Sequence, residues 1–403
     1  MEDKKKIWIV SELFYPDETA SGFYLTGIAK HIAQYQNVNI ICGSDTYEKN
    51  SNLIAQANEL SDNIYVYRIK SLPLDKNKIF SRIIRFFYLT IAIAYQILRR
   101  IKKGDDVWLV TNPAFLVPIA AIFAKIKGFK LTVLVHDVFP ENLVPINLLK
   151  SKGIIYKSLK YIFDKAYASV NRIVVCGRDM GLLFEQKLGT KEKIVIIENW
   201  ADIDSVYPSL ENKQNIYTYL GLKDKIVFQY AGNMGRLQGL EELIGIIAHC
   251  SNPKLHFVFI GEGALKNTLI HKAKYLGLNN VTFLNSFSRN QQNIFLNACD
   301  VAIVSLYDTM LGLGVPSKSY NIMAAGKPIL YLGNKDGEIG MVVKENEIGW
   351  QFESLQIDKI ITFFNSFDNA LIGEKGINAR TTAEQRFAKN HILAKYEQLL
   401  QTT

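Results

Sequence analysis

Residues 225–244 read KIVFQYAGNMGRLQGLEELI. A β-branched and aromatic run stops at Ala231-Gly232, passes through a glycine-rich turn, and continues with apolar residues at Leu240, Leu243, Ile244 and Ile247. That is strand, turn, helix: the repeating unit of a parallel sheet whose strands are buried on both faces. The same unit occurs on either side. Before it stand KIWIV (6–10), NVNIICG (37–43), DVWLVT (106–111), KLTVLVHD (130–137), RIVVCG (172–177) and KIVII (193–197). After it come LHFVFIGEG (255–263), VTFLNS (281–286), VAIVSL (301–306) and PILYLG (328–333). Between the two series lies NWADIDSVYPSLENKQN (199–215), polar and proline-containing, which reads as a linker. The pattern predicts two doubly wound α/β domains, residues 1–205 and 206–384, with a last helix over 385–403 packing back on the first.

Bulk composition agrees with two packed domains. The chain has 403 residues, of which 48% are hydrophobic, too long for one ordinary core. Its four cysteines (42, 176, 250 and 299) are far apart and form no CxxC pair, which argues for a reducing compartment and against a zinc or disulfide framework. No signal-peptide pattern opens MEDKKKIWIV, so a cytoplasmic location is expected. The net charge of +9 favours a polyanionic partner without choosing one. Basic residues alternate with apolar ones and no nucleic-acid-reading motif occurs, so nucleic acid is not expected.

Residues 76–103, KNKIFSRIIRFFYLTIAIAYQILRRIKK, place an apolar stretch between basic clusters. Uncharged residues run only from Phe86 to Leu98, too few for a spanning helix, which needs about 20. The composition fits an interfacial helix on anionic lipid, with Arg82, Arg85, Phe86, Phe87, Arg99, Arg100, Lys102 and Lys103 as docking residues. The alternative is a core helix with solvated ends. Nearby NPAFLVPIAAIFAKIKGFK (112–130) adds apolar surface.

Ligands of open α/β sheets bind beyond the C-terminal ends of the strands. In the first half those positions carry Glu18, Ser21 and Gly22, then His136, Asp137 and Glu141. Ser21-Gly22 opens a helix whose N–H groups could face a ligand, and His136 is placed to reach a cleft or to pair with Asp137. In the second half, Gly232, Gly235 and Gly239 permit close backbone approach to a ligand and Arg236 adds a fixed charge. Gly261 and Gly263 form a second such turn. The stretch GVPSKSYNIMAAGKP (314–328) presents Ser317 and Lys318 at a helix start, either as cap and solvated lysine or as an anion site. Three such turns on one edge, with Arg236 and Lys318 as cations, point to a diphosphate, most simply within a nucleotide. Asp202-Ile203-Asp204 resembles a DxD metal motif, but no further carboxylates cluster around it, so it is read as structural and no metal is expected.

Taken together, YPDETASG (15–22), His136-Asp137, NWADID (199–204), GNMGRLQG (232–239), GEG (261–263), ACDVAIVSL (298–306) and PSKSYNIMAAGKP (316–328) resemble the retaining GT-B glycosyltransferases of family 4. They occur in the family's order along nearly the whole chain. GNMGRLQG and VPSKSYNIMAAGKP are similar to a subgroup that builds bacterial surface polysaccharides and transfers N-acetylated deoxy-amino sugars such as N-acetylfucosamine. The resemblance implies two facing Rossmann-like domains with a cleft between them. It also implies transfer from a nucleoside diphosphate sugar, UDP-linked, to a polyprenyl-diphosphate-linked acceptor at the inner face of the cell membrane. No cofactor is implied. Arg236 and Lys318 would clamp the leaving diphosphate and His136 would contact the donor sugar. Gly232, Asn233, Gly235, Gln238, Gly261, Glu262, Gly314, Val315, Pro316, Ser317 and Asn321 would line the donor side.

The sequence departs from the family at instructive places. Two glutamates with seven residues between them are usual; Leu313 and Asn321 stand in their positions, and Asn233 and Gln238 replace an arginine and a lysine. Asn321 can still hydrogen-bond a ribose, and Leu313 suits a deoxy or N-acetyl sugar. Two other readings stay open: a GT-B sugar-nucleotide 2-epimerase, which would convert donor without acceptor, and a non-catalytic glycosyltransferase-like subunit.

Overall fold

A computed structural model describes residues 5–43, 60–72, 74 and 79–401 of the chain. It separates into two compact units, Met1–Ile197 with Leu393–Thr403, and Glu198–Ile392. The first unit holds seven parallel strands: β1 (Ile7–Val10), β2 (Val38–Gly43), β3 (Ile64–Ile69), β4 (Asp106–Val110), β5 (Lys130–Val135), β6 (Arg172–Val175) and β7 (Ile194–Ile196). Their order is β3-β2-β1-β4-β5-β6-β7. The second holds six: β8 (Ile226–Ala231), β9 (Leu255–Ile260), β10 (Val281–Leu284), β11 (Val301–Ser305), β12 (Ile329–Leu332) and β13 (Gly349–Phe352), ordered β10-β9-β8-β11-β12-β13. Both orders reverse beside the first strand of the unit, at β1/β4 and β8/β11. Doubly wound sheets bind ligands at that switch point.

The second sheet shows why its strands read as unbroken apolar runs. Val227, Val258, Ala302, Val304 and Tyr331 enter one buried cluster. Their sequence neighbours Phe228, Phe257, Ile303 and Leu330 enter another on the opposite face. Alternate side chains point to opposite faces, and helices cover both, so nearly every position is apolar; the buried exceptions Gln229 and His256 are hydrogen-bonded, to the Phe295 carbonyl and the Thr282 hydroxyl. Phe228 shows the packing: its ring lies 4.9 Å from that of Phe367 and 5.3 Å from that of Phe364, both edge-on.

Two strands were not legible as such, β3 and β13. Both are edge strands and only partly buried; GWQF is short and interrupted by Gln351, whereas IYVYRI is itself an apolar and aromatic run. The expected linker is also corrected. Trp200, Ala201 and Val206 are buried, and the latter two belong to the core of the second unit. Leu210–Leu220 is a helix, capped by the Ser209 hydroxyl accepting from the Asn212 N–H. The change of unit therefore falls at 197/198 rather than 205. At the C-terminus the single expected helix is two, Ile372–Arg386 and Lys389–Gln401, and the chain rejoins the first unit only at Leu393. The break is fixed by Ala201, whose N–H donates to the Phe387 carbonyl at 2.7 Å, while the Phe387 ring packs edge-on against Tyr320.

Candidate functional site

At the C-terminal edge of the second sheet, Lys318 is the first residue of the Lys318–Ala324 helix. It is not a solvated cap residue. Its Nζ is shielded from water and has no hydrogen-bond partner among the described residues. It lies 3.4 Å from the centroid of the Tyr230 ring, near the end of β8. A Cβ placed on Gly232 would sit 3.4 Å from the same Nζ, so the lysine lies directly against the first glycine turn. Burial pulls its pKa from 10.5 down to about 7. A desolvated cation without an acid partner is costly, and an anionic ligand would remove that cost. Ser317, expected as a cap, makes no side-chain cap bond.

The glycines have a different reason from the one the sequence suggested. At Gly261 (φ +141°) a Cβ would stand 2.1 Å from the Gly232 carbonyl oxygen, and at Gly263 (φ +153°) 2.4 Å from that of Met234. The two turns are interlocked: the Gly232 N–H donates to the Ile260 carbonyl, the Met234 N–H to that of Glu262, and the Leu265 N–H to that of Met234. Close backbone approach is needed here between one turn and the other. Gly235 is different; a Cβ there would crowd the Asn233 and Gln238 amides at 2.9 Å each. Asn233 and Arg236 are exposed at the rim. Gln238 is held by its carbonyl, which accepts from the Ser305 hydroxyl at 2.5 Å, while its Oε1 is buried without a partner among the described residues. Glu262 pairs with Lys266 at 2.7 Å.

The two positions that replace the usual glutamates are both drawn inward. Asn321 is buried; its Oδ1 accepts from the Asp202 N–H at 2.8 Å and its Nδ2 donates to Gln292 Oε1 at 3.0 Å. Both ends of the amide are engaged within the protein, tying the crossover segment to the helix, which corrects the ribose contact expected of it. Leu313 is 7% exposed and so offers no open apolar lining. Gly314, Val315 and Pro316 are half-buried, and Val315 packs on the core. Asp202 accepts from the Ser205 N–H, a local turn in keeping with a structural role. Among the described residues no group of three His, Cys, Asp or Glu side chains could hold a metal ion.

In the first unit the sheet edge brings Ser21 and His136 together, with 3.0 Å between Oγ and Nδ1. Burial lowers the His136 pKa to about 4, so the imidazole is neutral near pH 7. Its partner is Ser21 rather than Asp137, which is exposed, and the Thr111 hydroxyl accepts from the backbone N–H groups of both His136 and Asp137. The helix Ala20–Ile32 is capped by Thr19, which takes the Gly22 N–H, and a Cβ on Gly22 would meet the Asp17 carbonyl at 2.5 Å. That helix start is thus closed by the protein's own groups. Glu18 is exposed. Glu141 is bound to Lys187, which also pairs with Asp164 at 2.6 Å. An unremarked carboxylate, Glu12, stands just beyond β1. Burial and then Asp17 raise its pKa, while Arg85 and a hydrogen bond with Asn112 oppose them. Its N–H donates to the Asn112 carbonyl beyond β4, so the pair straddles the switch point.

The basic apolar segment forms one helix, Ile79–Arg100, with residues 76–78 and the Arg82 side chain outside the described set. Thr90, Ile93, Ala94 and Ile97 are buried, whereas Phe80, Ile91 and Tyr95 are 74%, 65% and 57% exposed. Ile126, on the neighbouring Leu116–Lys127 helix, is 74% exposed. The helix therefore has two apolar stripes, one against the sheet and one against solvent. Arg99, Lys102 and Lys103 are exposed at its end and Phe87 faces out. Three expected docking residues turn inward. Phe86 packs edge-on against Phe115 at 5.9 Å, Arg85 donates to the Leu74 carbonyl at 3.2 Å, and Arg100 lies 4.0 Å over the Tyr67 ring. Among the described residues no helix is long and apolar enough to cross a membrane.

Comparison with known proteins agrees with this architecture. Residues 213–367 match the family of glycosyl transferases group 1. A probable glycosyltransferase of Pseudomonas aeruginosa, WbjE, is 39% identical over 276 residues, 68% of this chain and 69% of that one. The putative colanic acid biosynthesis glycosyl transferase WcaI of Escherichia coli is 25% identical over 250 residues, 60% of each chain. Among solved structures, Anabaena Alr3699/HepE in complex with UDP covers 99% of this chain and 100% of its own, at 18% identity and a TM-score of 0.72. The two parallel sheets are thus those of the GT-B fold, and the chain belongs to the group 1 glycosyltransferases.

Proposed function

We propose that this glycosyltransferase takes a sugar from a UDP-linked donor and transfers it, with retention, to a lipid-diphosphate-linked saccharide of a bacterial surface polysaccharide. The carrying observation is Lys318: a buried ammonium without an acid partner among the described residues, set against Gly232 at the C-terminal edge of the second sheet. A diphosphate suits that ammonium in chemistry and in place. The barrier to transfer lies in parting a cationic sugar from an anionic diphosphate, and a preorganised cation at the leaving group lowers it. Arg236, exposed at the rim, supplies further charge. His136, neutral and seated on Ser21, is suited to hydrogen-bond a sugar hydroxyl without adding charge. No metal takes part in this scheme. A bound UDP in the HepE structure and the colanic acid pathway in the name of WcaI support the donor and the polysaccharide product.

The exposed apolar stripe of the Ile79–Arg100 helix, with Arg99, Lys102 and Lys103 beside it, supports docking on the anionic inner leaflet, where a polyprenyl-linked acceptor resides. A 6-deoxy N-acetylamino sugar such as N-acetylfucosamine is the donor sugar we propose, on the resemblance of the glycine turn and the Lys318 segment. The decisive experiment incubates purified protein with UDP-sugars and a lipid-diphosphate-linked saccharide, and assigns the anomeric configuration of the product by NMR. Lys318→Ala is expected to lower transfer at least tenfold. Conversion of donor without acceptor would instead establish an epimerase, and absence of any turnover a non-catalytic subunit.

A further inference from the structure

The opposite edge of the second sheet carries a cavity of about 320 Å³ that the transfer reaction does not use. Asp300, just before β11, and Lys327-Pro328, just before β12, lie on its wall, so it opens at the N-terminal ends of the strands. Its other lining includes Lys213, Cys299, and Gly373 and Arg380 from the Ile372–Arg386 helix.

The charges in this cavity do not balance. Asp300, its one carboxylate, is fully engaged: Lys213 donates to Oδ1 at 2.5 Å, and the Tyr217 hydroxyl and the Val227 N–H donate to Oδ2 at 2.7 and 2.8 Å. Arg380 is also engaged, by the carbonyls of Ile203, Val206 and Ala324 and by Glu384. Lys327 remains. Among the described residues its ammonium makes no hydrogen bond and no ion pair, and burial lowers its pKa. Lys327 is half-buried, so its ammonium keeps contact with water, and its partial desolvation makes an anionic partner favourable. Pro208, Pro328, Ile372 and Ile377 make the rest of the wall largely apolar. A small apolar cavity with one placed charge is the ordinary form of a ligand site for an amphiphilic anion.

We propose that this cavity is a second ligand site, taking a small organic anion whose phosphate or carboxylate head pairs with Lys327 and whose apolar part lies on Pro328 and Ile377. Lys318 and Lys327 lie at opposite ends of the same short helical segment, so an occupant bears on the element that carries the diphosphate lysine. Calorimetric titration of the full chain with phenyl phosphate, and separately with phenylacetate, tests the site. Binding of at least one probe is expected, weakened tenfold or more by Lys327→Met. Gly373→Leu fills open space, since a Cβ there meets nothing within 4 Å, and is expected to block the same binding while leaving Lys327 in place. Preference for phenyl phosphate identifies a phosphorylated ligand and preference for phenylacetate a carboxylate. Lys318→Met is the control for binding at the other edge. The proposal is overturned if neither probe binds, if both pocket variants bind as wild type does, or if only Lys318→Met abolishes binding.

Discussion

Replacing Lys318 by methionine keeps the length and most of the volume of the side chain but removes its charge, so it isolates what the buried ammonium costs. Folding shifts the pKa of Lys318 from 10.5 to about 7. Between those values the unfolded chain binds more protons than the folded one, so stability rises with pH across that window and the full cost is borne below it. At pH 7 this amounts to roughly 4 kcal/mol of destabilisation. The Tyr230 ring under the ammonium returns about 1–2 kcal/mol. Lys318→Met is therefore expected to unfold about 2–3 kcal/mol less readily than wild type at pH 7 without donor, and this advantage is expected to shrink by about 2 kcal/mol by pH 9. Urea unfolding at the two pH values measures both quantities. UDP should stabilise the wild type and leave the variant little changed, because an anion beside Lys318 restores the pairing that folding removes. A variant less stable than wild type at pH 7, or a difference that ignores pH, would refute the reasoning.

Other expectations follow from the same contacts. Gly261→Ala forces a Cβ into the Gly232 carbonyl at a φ of +141° and should lower stability by more than about 3 kcal/mol, read as a urea midpoint. Asn321→Ala removes the acceptor of the Asp202 N–H; a loss of about 1–3 kcal/mol with donor KM within twofold is expected, whereas a large rise in KM would restore a ribose contact. His136, with its pKa at about 4, should show no imidazole protonation by NMR between pH 5.5 and 8, and a titration near 6.5 would contradict its burial. Changing Arg99, Lys102 and Lys103 to glutamine should release the protein from vesicles containing phosphatidylglycerol, as should raised salt; undiminished binding would remove the docking role of this helix.

Most strands of both sheets are legible in local sequence. Strands buried on both faces are apolar at nearly every position, as Val227 and Phe228 of β8 show, and such runs declare themselves without reference to the rest of the chain. The half-buried edge strand β13 is short and interrupted by Gln351, and it became visible only in the fold. The sequence also placed Ser21 and His136 at a sheet edge, and Lys318 at a helix start beside a glycine turn. Which of these side chains are engaged and which are free was decided by tertiary structure alone. Asn321 meets Asp202, Glu141 meets Lys187, and Gly261 meets Gly232 across long stretches of chain. No local pattern records such partners, because the pairing of β8 with β9 and β11 sets which loops touch. The same pairing leaves the Lys318 ammonium over the Tyr230 ring, shielded from water and without an acid among the described residues.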